Sequence, residues 1–337
     1  MKVLIIRFSS AGDIVLTSPV IRTLKSQLQD VEIHYATKPA FKGILEANPY
    51  VDQIHELGDS LLGFYKQLKT ESFDVIIDLH HNRRTWVLKR LLGVKSYSFN
   101  KLNWEKFLMV RFKINRLPAK HIVDRYMETV AALDVKMDAL GLDYFIPEKD
   151  EVEKEWLPET HRDGFYAVVV GGQYATKRLP VNRLIELCDR INKPIILLGG
   201  KEDQAVGEEI EQFFVQGDAD DPREQQLQNE LGKKALVYNA CGKFNFNQSA
   251  SLVQQSIAVF THDTGLMHVA AAFKKKIFSI WGNTIPEFGM YPYRTQFTIF
   301  ENKKLGCRPC SKIGYGQCPK GHFKCMNDLY FDFWLPG

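Results

Sequence analysis

The chain has 337 residues, 45% of them hydrophobic and 25% charged, with a formal net charge of +4. That is a globular composition long enough for two domains of ordinary size, and the charge is too small to argue for a nucleic-acid partner. No stretch reaches the roughly eighteen apolar residues of a membrane span, and the apolar start at Met1–Phe8 is shorter than a signal-peptide core, so a cytoplasmic protein is expected.

Lys2 to Phe8 reads as a strand, Ser9-Ser10-Ala11-Gly12-Asp13 as a turn, and Ile14 to Leu28 as an amphipathic helix, with the next strand at Val31 to Ala36. The turn carries one glycine rather than the three of a dinucleotide-binding fingerprint. Asp13 stands where the turn enters the helix. It is placed either to cap that helix or to meet a ligand, because open α/β sheets bind ligands at the carboxyl ends of their strands. Phe73 to Leu79 is a second buried strand, and His80-His81-Asn82-Arg83-Arg84 opens the helix after it. His80 to Lys95 holds five basic residues and no acidic one. Lys101 to His121 holds six basic residues against one Glu, interleaved with Trp104, Phe107, Leu108, Met109, Val110 and Phe112. Such a segment fits a membrane-surface element, an anionic-substrate site or a solvated helix with one buried side. Two neighbouring basic clusters favour an anionic acceptor. His121 to Leu133 reads as a helix, and the charged, proline-marked stretch Asp143 to Pro158 as an interdomain connection.

A second alternating set follows. Tyr166 to Val170 is a strand ending in Gly171-Gly172-Gln173-Tyr174-Ala175-Thr176-Lys177-Arg178-Leu179-Pro180, with the proline placed to begin a helix. Ile195 to Leu198 ends in Gly199-Gly200-Lys201-Glu202-Asp203. Gln212 to Lys234 is polar and reads as a surface insertion or broken helix; Ala235 to Tyr238 is a short strand and Gln248 to Ser256 a helix. Ser256 to Thr261 is then a buried strand, His262 to Gly265 a turn, and Leu266 to Ala272 a small-residue helix. Asp263 and Thr264 are suited to cap it, and its free N–H groups and positive dipole end make a natural anion site. Lys276 to Trp281 adds one more strand. Two β–α sets joined by a connection imply two doubly wound domains facing across a cleft.

With these motifs in place, the chain resembles the lipopolysaccharide heptosyltransferases of glycosyltransferase family 9, which have the two-domain GT-B fold. The resemblance rests on Lys2 through Val15 with Pro19, on Lys177-Arg178-Leu179-Pro180 after a glycine-containing loop, and on Asp263-Thr264-Gly265 with His268 and the alanine run. It implies an α/β fold with an acceptor-binding Rossmann-like domain at 1–155, a donor-binding one at 160–305 and a Cys-rich tail at 306–337. The implied reaction is inverting transfer of heptose from ADP-L-glycero-D-manno-heptose to the lipopolysaccharide inner core. It would take place in the cytoplasm, peripherally on the inner face of the inner membrane. A transferase using another nucleotide sugar and another anionic acceptor, or a non-catalytic sugar-nucleotide-binding relative, are the alternatives. Asp13, ionised at neutral pH with a pKa near the reference of about 4, is the expected base. Lys177, Glu202, Asp263, Thr264, Gly265 and His268 are expected at the donor, and Arg83 and Arg84 at acceptor phosphates or carboxylates. No cofactor or active-site metal is expected, since Lys177 and a helix dipole can take the diphosphate charge.

Cys307, Cys310, Cys318 and Cys325, with His322 between the last two, are soft ligands that in a reducing compartment suit a structural zinc, although the second pair is spaced Cys-x6-Cys. A similar pattern occurs in heptosyltransferases of the second-heptose type. The chain ends at Trp334-Leu335-Pro336-Gly337, where the resemblance leads one to expect a further terminal helix.

Overall fold

The computed structural model describes residues 1–216 and 235–335. Most of the polar stretch Gln212 to Lys234 therefore lies outside the described residues, as do Pro336 and Gly337. The first half contributes β1 (Lys2–Ile6), α1 (Ala11–Val15), α2 (Ser18–Gln27), β2 (Glu32–Thr37), β3 (Gln53–Glu56), α3 (Leu61–Lys69), β4 (Val75–Asp78), α4 (Arg83–Leu92) and β5 (Ser96–Ser98). After α5 (Asn103–Phe112) and α6 (Ile122–Met127), the second half contributes β6 (Tyr166–Val169), α7 (Val181–Ile191), β7 (Ile195–Leu198), α8 (Gln204–Gln216), β8 (Val237–Asn239) and α9 (Phe246–Gln255). It continues with β9 (Ala258–His262), α10 (Gly265–Ala272), β10 (Lys276–Trp281), β11 (Phe297–Glu301) and α11 (Lys324–Asn327).

The strands form two parallel sheets, one of five strands in the order β3-β2-β1-β4-β5 and one of six in the order β11-β10-β9-β6-β7-β8. In the first, the chain runs outward through β2 and β3 and returns to the other side of β1 at β4, so the order reverses between β1 and β4. In the second it reverses between β6 and β9. At such a switch point adjacent loops leave in opposite directions and open a crevice beyond the strand ends. Asp13 follows β1, and the Lys177 and Asp263 loops follow β6 and β9. The residues singled out in sequence thus stand at both crevices.

Each sheet is covered on both faces, as parallel sheets require. In β1, Val3 and Ile5 point to one apolar cluster and Leu4 and Ile6 to another, the period of two of a strand. The first of these clusters also takes Ala167 and Val169 of β6, Val259 of β9 and Ile277 of β10, so the inner faces of the two halves share one continuous core. Val168, Phe260 and Phe278 face the outer core of the second sheet.

The helix expected over Ile14 to Leu28 is broken in two. Pro19 has no N–H to donate back into a preceding turn, so α1 stops and α2 restarts with the proline in its first turn. The segment His121 to Leu133 likewise shortens to α6 and a separate 3-10 turn at Ala131–Leu133.

Asn247 on α9 fastens the halves together. Its Oδ1 accepts from the Tyr144 hydroxyl at 2.5 Å, and its Nδ2 donates to the Gly43 carbonyl at 3.1 Å and to Asp150 Oδ2 at 2.9 Å. Asn247 and Asp150 are both buried. Asn247→Ala removes partners from three groups at once and is expected to cost about 1–3 kcal/mol, because buried polar groups pay desolvation without compensation. Thermal denaturation should show a midpoint several degrees lower; an unchanged midpoint contradicts the fastening role.

Candidate active site

The two halves touch where the N-termini of α1 and α10 meet. A Cβ on Gly12 would lie 2.8 Å from Cδ2 of His268 and 3.1 Å from the Gly265 Cα, and one on Gly265 would lie 3.4 Å from the Gly12 nitrogen. A side chain at Gly12 would force His268 aside, so glycine there lets the helix starts approach this closely and the dipole ends of both helices point into one space.

On the first-half side, Asp13 has a divided carboxylate. Its Oδ2 accepts from Arg7 Nη2 at 2.6 Å, from the Ser10 hydroxyl at 2.9 Å and from the Ser10 amide at 3.2 Å. The last of these, from the N-cap amide to the N3 side chain, is the Asp13 part of a capping box on α1. Asp13 therefore caps α1 and also faces the crevice. Its Oδ1 takes part in none of the hydrogen bonds of the described residues, and the side chain keeps 19% of its surface exposed. Burial alone would raise the Asp13 pKa, but the Arg7 guanidinium and the Ser10 bonds outweigh it and hold the carboxyl below the usual range. The expected value near the reference is corrected accordingly, and Asp13 is ionised at neutral pH. Arg7 is buried and also donates to the Leu79 carbonyl at 2.6 Å, which fixes its aim.

More cations surround this carboxylate than sequence reasoning identified. Lys101 and Lys106 both feel Asp13, and Lys312 from the C-terminal tail feels them both. Burial, reinforced for Lys106 by Arg125, lowers the Lys106 pKa to about 8. His80, its ring tilted against Phe8 with centroids 5.2 Å apart, is pushed down to about 4 by burial and then by Arg7, and is neutral. Arg7 could have been found as the lone charge inside an apolar strand; Lys312 had no sequence signal. Arg83 and Arg84 open α4 beyond β4, where both are exposed and neither is among the ion pairs of the described residues. They stand outside the charge group around Asp13.

On the second-half side, Lys177 Nζ lies 2.5 Å from Asp263 Oδ2, which also accepts from Thr284 at 3.4 Å. Asp263 is therefore a counter-ion to Lys177 and does not cap α10. Thr264 is the N-cap, yet its side chain makes no capping bond and lies 3.3 Å from the Thr261 hydroxyl instead. The first amides of α10 are left without a side-chain acceptor. His268, one turn in, is buried, and burial lowers its pKa to about 4, so it is neutral between Asp13 and the Lys177–Asp263 pair. Its Nδ1 has no partner. The His262 ring accepts from the Leu179 amide at 2.9 Å and holds the Lys177 loop on β9. Asp203, buried, accepts from Arg178 at 3.2 Å and from the Gly200 amide at 2.9 Å, bracing the two glycine loops. Its neighbour Glu202 is exposed at the rim beside Gly200.

The Cys-rich tail folds back onto this cleft. Arg308, buried, donates to the Thr284 carbonyl at 2.9 Å and pairs with Glu301 at 3.1 Å, and Tyr315 and Thr176 exchange hydrogen bonds over the Lys177 loop. Cys307 Sγ comes to 3.9 Å from His322 Nε2. Cys310 lies within the field of Cys307 and Cys318, and Cys325 within that of all three. Among the described residues, the three potential ligands within 4.8 Å of one another are His34, His55 and Glu71. There Lys2 already pairs with Glu71, and the two imidazoles hydrogen-bond at 2.7 Å.

The sequence profile of glycosyltransferase family 9 (heptosyltransferase) matches residues 61–318. The chain belongs to this family. It is a glycosyltransferase, and its two facing Rossmann-like halves are the GT-B fold. The chain is 25% identical over 309 residues to lipooligosaccharide heptosyltransferase 2 of Haemophilus influenzae, across 86% of this chain and 85% of that protein. The structure of Escherichia coli ADP-heptose lipopolysaccharide heptosyltransferase II superposes with a TM-score of 0.67 at 18% identity, over 97% of this chain and 98% of that one. The E. coli heptosyltransferase WaaC solved with ADP-2-deoxy-2-fluoro heptose gives a TM-score of 0.62 at 19% identity, over 88% and 93%.

The Arg7 pair sets where the Asp13 carboxyl titrates. Arg7 keeps Asp13 ionised well into acid; in Arg7→Gln only the Ser10 bonds remain to offset the burial that raises its pKa. The acid limb of kcat/KM should then move to higher pH. An acid limb at the wild-type position contradicts the control of Asp13 by Arg7.

Proposed function

We propose that this glycosyltransferase is an inverting heptosyltransferase that moves heptose from ADP-L-glycero-D-manno-heptose to an anionic lipopolysaccharide inner-core acceptor at the cytoplasmic face of the inner membrane. The reading is carried by one juxtaposition: a carboxylate with a free oxygen, Asp13 Oδ1, stands across the Gly12–Gly265 contact from a helix start whose amides lack an acceptor. The relative solved with ADP-2-deoxy-2-fluoro heptose supports the donor.

In this reading the donor diphosphate lies at the start of α10. The amides of Gly265 and Leu266 and the ammonium of Lys177 take its charge, Lys177 turning from Asp263. Glu202 stands at the rim on the nucleotide side, and neutral His268 packs beneath the sugar position, donating no charge. The acceptor enters from the first half, its phosphates or carboxylates met by Lys101, Lys106 and Lys312 near the cleft and by Arg83 and Arg84 further out. An acceptor hydroxyl attacks the anomeric carbon from the face opposite the diphosphate. The carbon–oxygen bond to phosphate breaks, ADP leaves with the electron pair, and the hydroxyl proton passes to Asp13 Oδ1. A carboxylate of low pKa is a weak base, so this transfer belongs late in the step, when the attacking oxygen has become acidic. Closure of the cleft keeps water from the donor.

Asp13→Asn keeps the shape and removes the base. Turnover of ADP-heptose with acceptor should fall about 10²–10⁴-fold, the usual range for a positioned base, while ADP affinity by calorimetry stays within a few-fold. Wild-type turnover by the variant rules out Asp13 as base. Stabilisation by UDP- or GDP-sugars and not by ADP-heptose assigns another donor, and donor binding without release of ADP to any acceptor assigns a binding protein.

A further inference from the structure

We propose that α5 is a bilayer-docking element that seats the cleft on an anionic lipid surface, an inference that rests on the reading of a membrane-borne acceptor. None of the ten residues of α5 is buried. Trp104 is 64% exposed, Phe107 48% and Phe112 57%, and they form one cluster, with ring centroids 5.6 Å apart for Trp104 and Phe107 and 5.9 Å for Phe107 and Phe112. Ile114, just beyond the helix, is exposed as well. An apolar cluster of this size, gathered on a helix that packs against no core, marks an interaction surface.

Three observations select a bilayer as the occupant. The first is charge. From Lys101 to Lys120 the segment carries six basic residues and only Glu105 on the acidic side, and neither Arg111 nor Arg116 is among the ion pairs of the described residues. A short helix with aromatic residues on one face, flanked by Lys and Arg, is the design of an interfacial element that buries its rings at the headgroup boundary while its cations meet anionic lipid. A second copy of the same face would set these cations against one another in a two-fold contact. The second is orientation. Trp104 and Phe107 are three residues apart and share a face, whereas Lys106 lies on the other side, with its ammonium over the Phe288 ring at 5.8 Å and within the field of Asp13. The aromatic face is outward and the opposite face lines the cleft. The third is rigidity. Lys113, at the helix end, donates to the Pro309 carbonyl at 2.6 Å and to that of Cys307 at 3.2 Å, so the tail fixes the helix in this aspect. Docking through the rings would therefore hold the charged mouth of the cleft at headgroup level, where a lipid-anchored anionic saccharide projects.

The test is co-sedimentation of the full chain with vesicles of phosphatidylcholine alone or mixed with phosphatidylglycerol. A triple variant, Trp104→Ser/Phe107→Ser/Phe112→Ser, is measured alongside. Wild type should bind the phosphatidylglycerol vesicles, less tightly at high salt, and phosphatidylcholine weakly. The variant should partition at least tenfold less, with an unchanged melting midpoint and unchanged turnover of a water-soluble, lipid-free acceptor fragment. The proposal is overturned if wild type ignores phosphatidylglycerol, if the variant binds equally well, or if the substitutions abolish a dimer in sedimentation velocity and leave vesicle binding intact. Vesicle binding that depends on the rings, in a protein that transfers no heptose, sinks the heptosyltransferase reading and keeps the docking.

Discussion

Everything distinctive in this site depends on two helix starts being allowed to meet. Gly12 and Gly265 have no side chains to hold α1 and α10 apart, and the neutral ring of His268 closes the contact. Any Cβ at Gly12 would have to displace that ring, and overpacking in so tight a place distorts the backbone around it. The contact makes one space from two crevices, each at the switch point of a parallel sheet. It also sums two positive dipole ends over a region where a carboxylate stands on one side and a diphosphate site is proposed on the other.

Charge pairing keeps those groups poised. Asp13 and Lys177 each have a resident counter-ion, Arg7 and Asp263, at 2.6 and 2.5 Å. Arg7 and Asp263 satisfy charges that would otherwise be costly to hold in a partly dehydrated cleft. The pairings differ in kind. Arg7 is buried, doubly tethered and works permanently through one carboxylate oxygen, whereas Lys177 is a flexible point charge that can exchange one anion for another. Lys101 and Lys106 have no close carboxylate of that sort, so burial depresses both, Lys106 to about 8. The cleft is thus electropositive before any substrate enters, which suits a saccharide carrying phosphate.

Much of this was legible in the sequence because the signals are local. An apolar run, a short polar turn and the start of a helix follow one another within about a dozen residues at both Asp13 and Asp263, and each pattern alone places a polar group at a strand end. The two β–α sets that define the fold were read in the same way. What was hidden is pairing across distance. Lys177 and Asp263 are 86 residues apart, so Asp263 read as a cap or a donor contact and its pairing with Lys177 could not be seen. Lys312 joins Lys101 and Lys106 only because the tail folds back over the cleft. The hydrogen bonds of Arg308, Thr176 and Tyr315 lay the cysteine-bearing segment along the Lys177 loop, a placement that no local pattern signals. The break between α1 and α2 was signalled by Pro19 but masked by an amphipathic pattern that continues through it.

The most direct measurement is a crystal structure of the chain soaked with a non-transferable ADP-heptose analogue. The expected result is diphosphate oxygens at about 2.7–3.2 Å from the amides of Gly265 and Leu266, Lys177 turned from Asp263 onto them, and the anomeric carbon facing Asp13 Oδ1. Diphosphate density away from the start of α10, or an anomeric carbon turned from Asp13, contradicts the site.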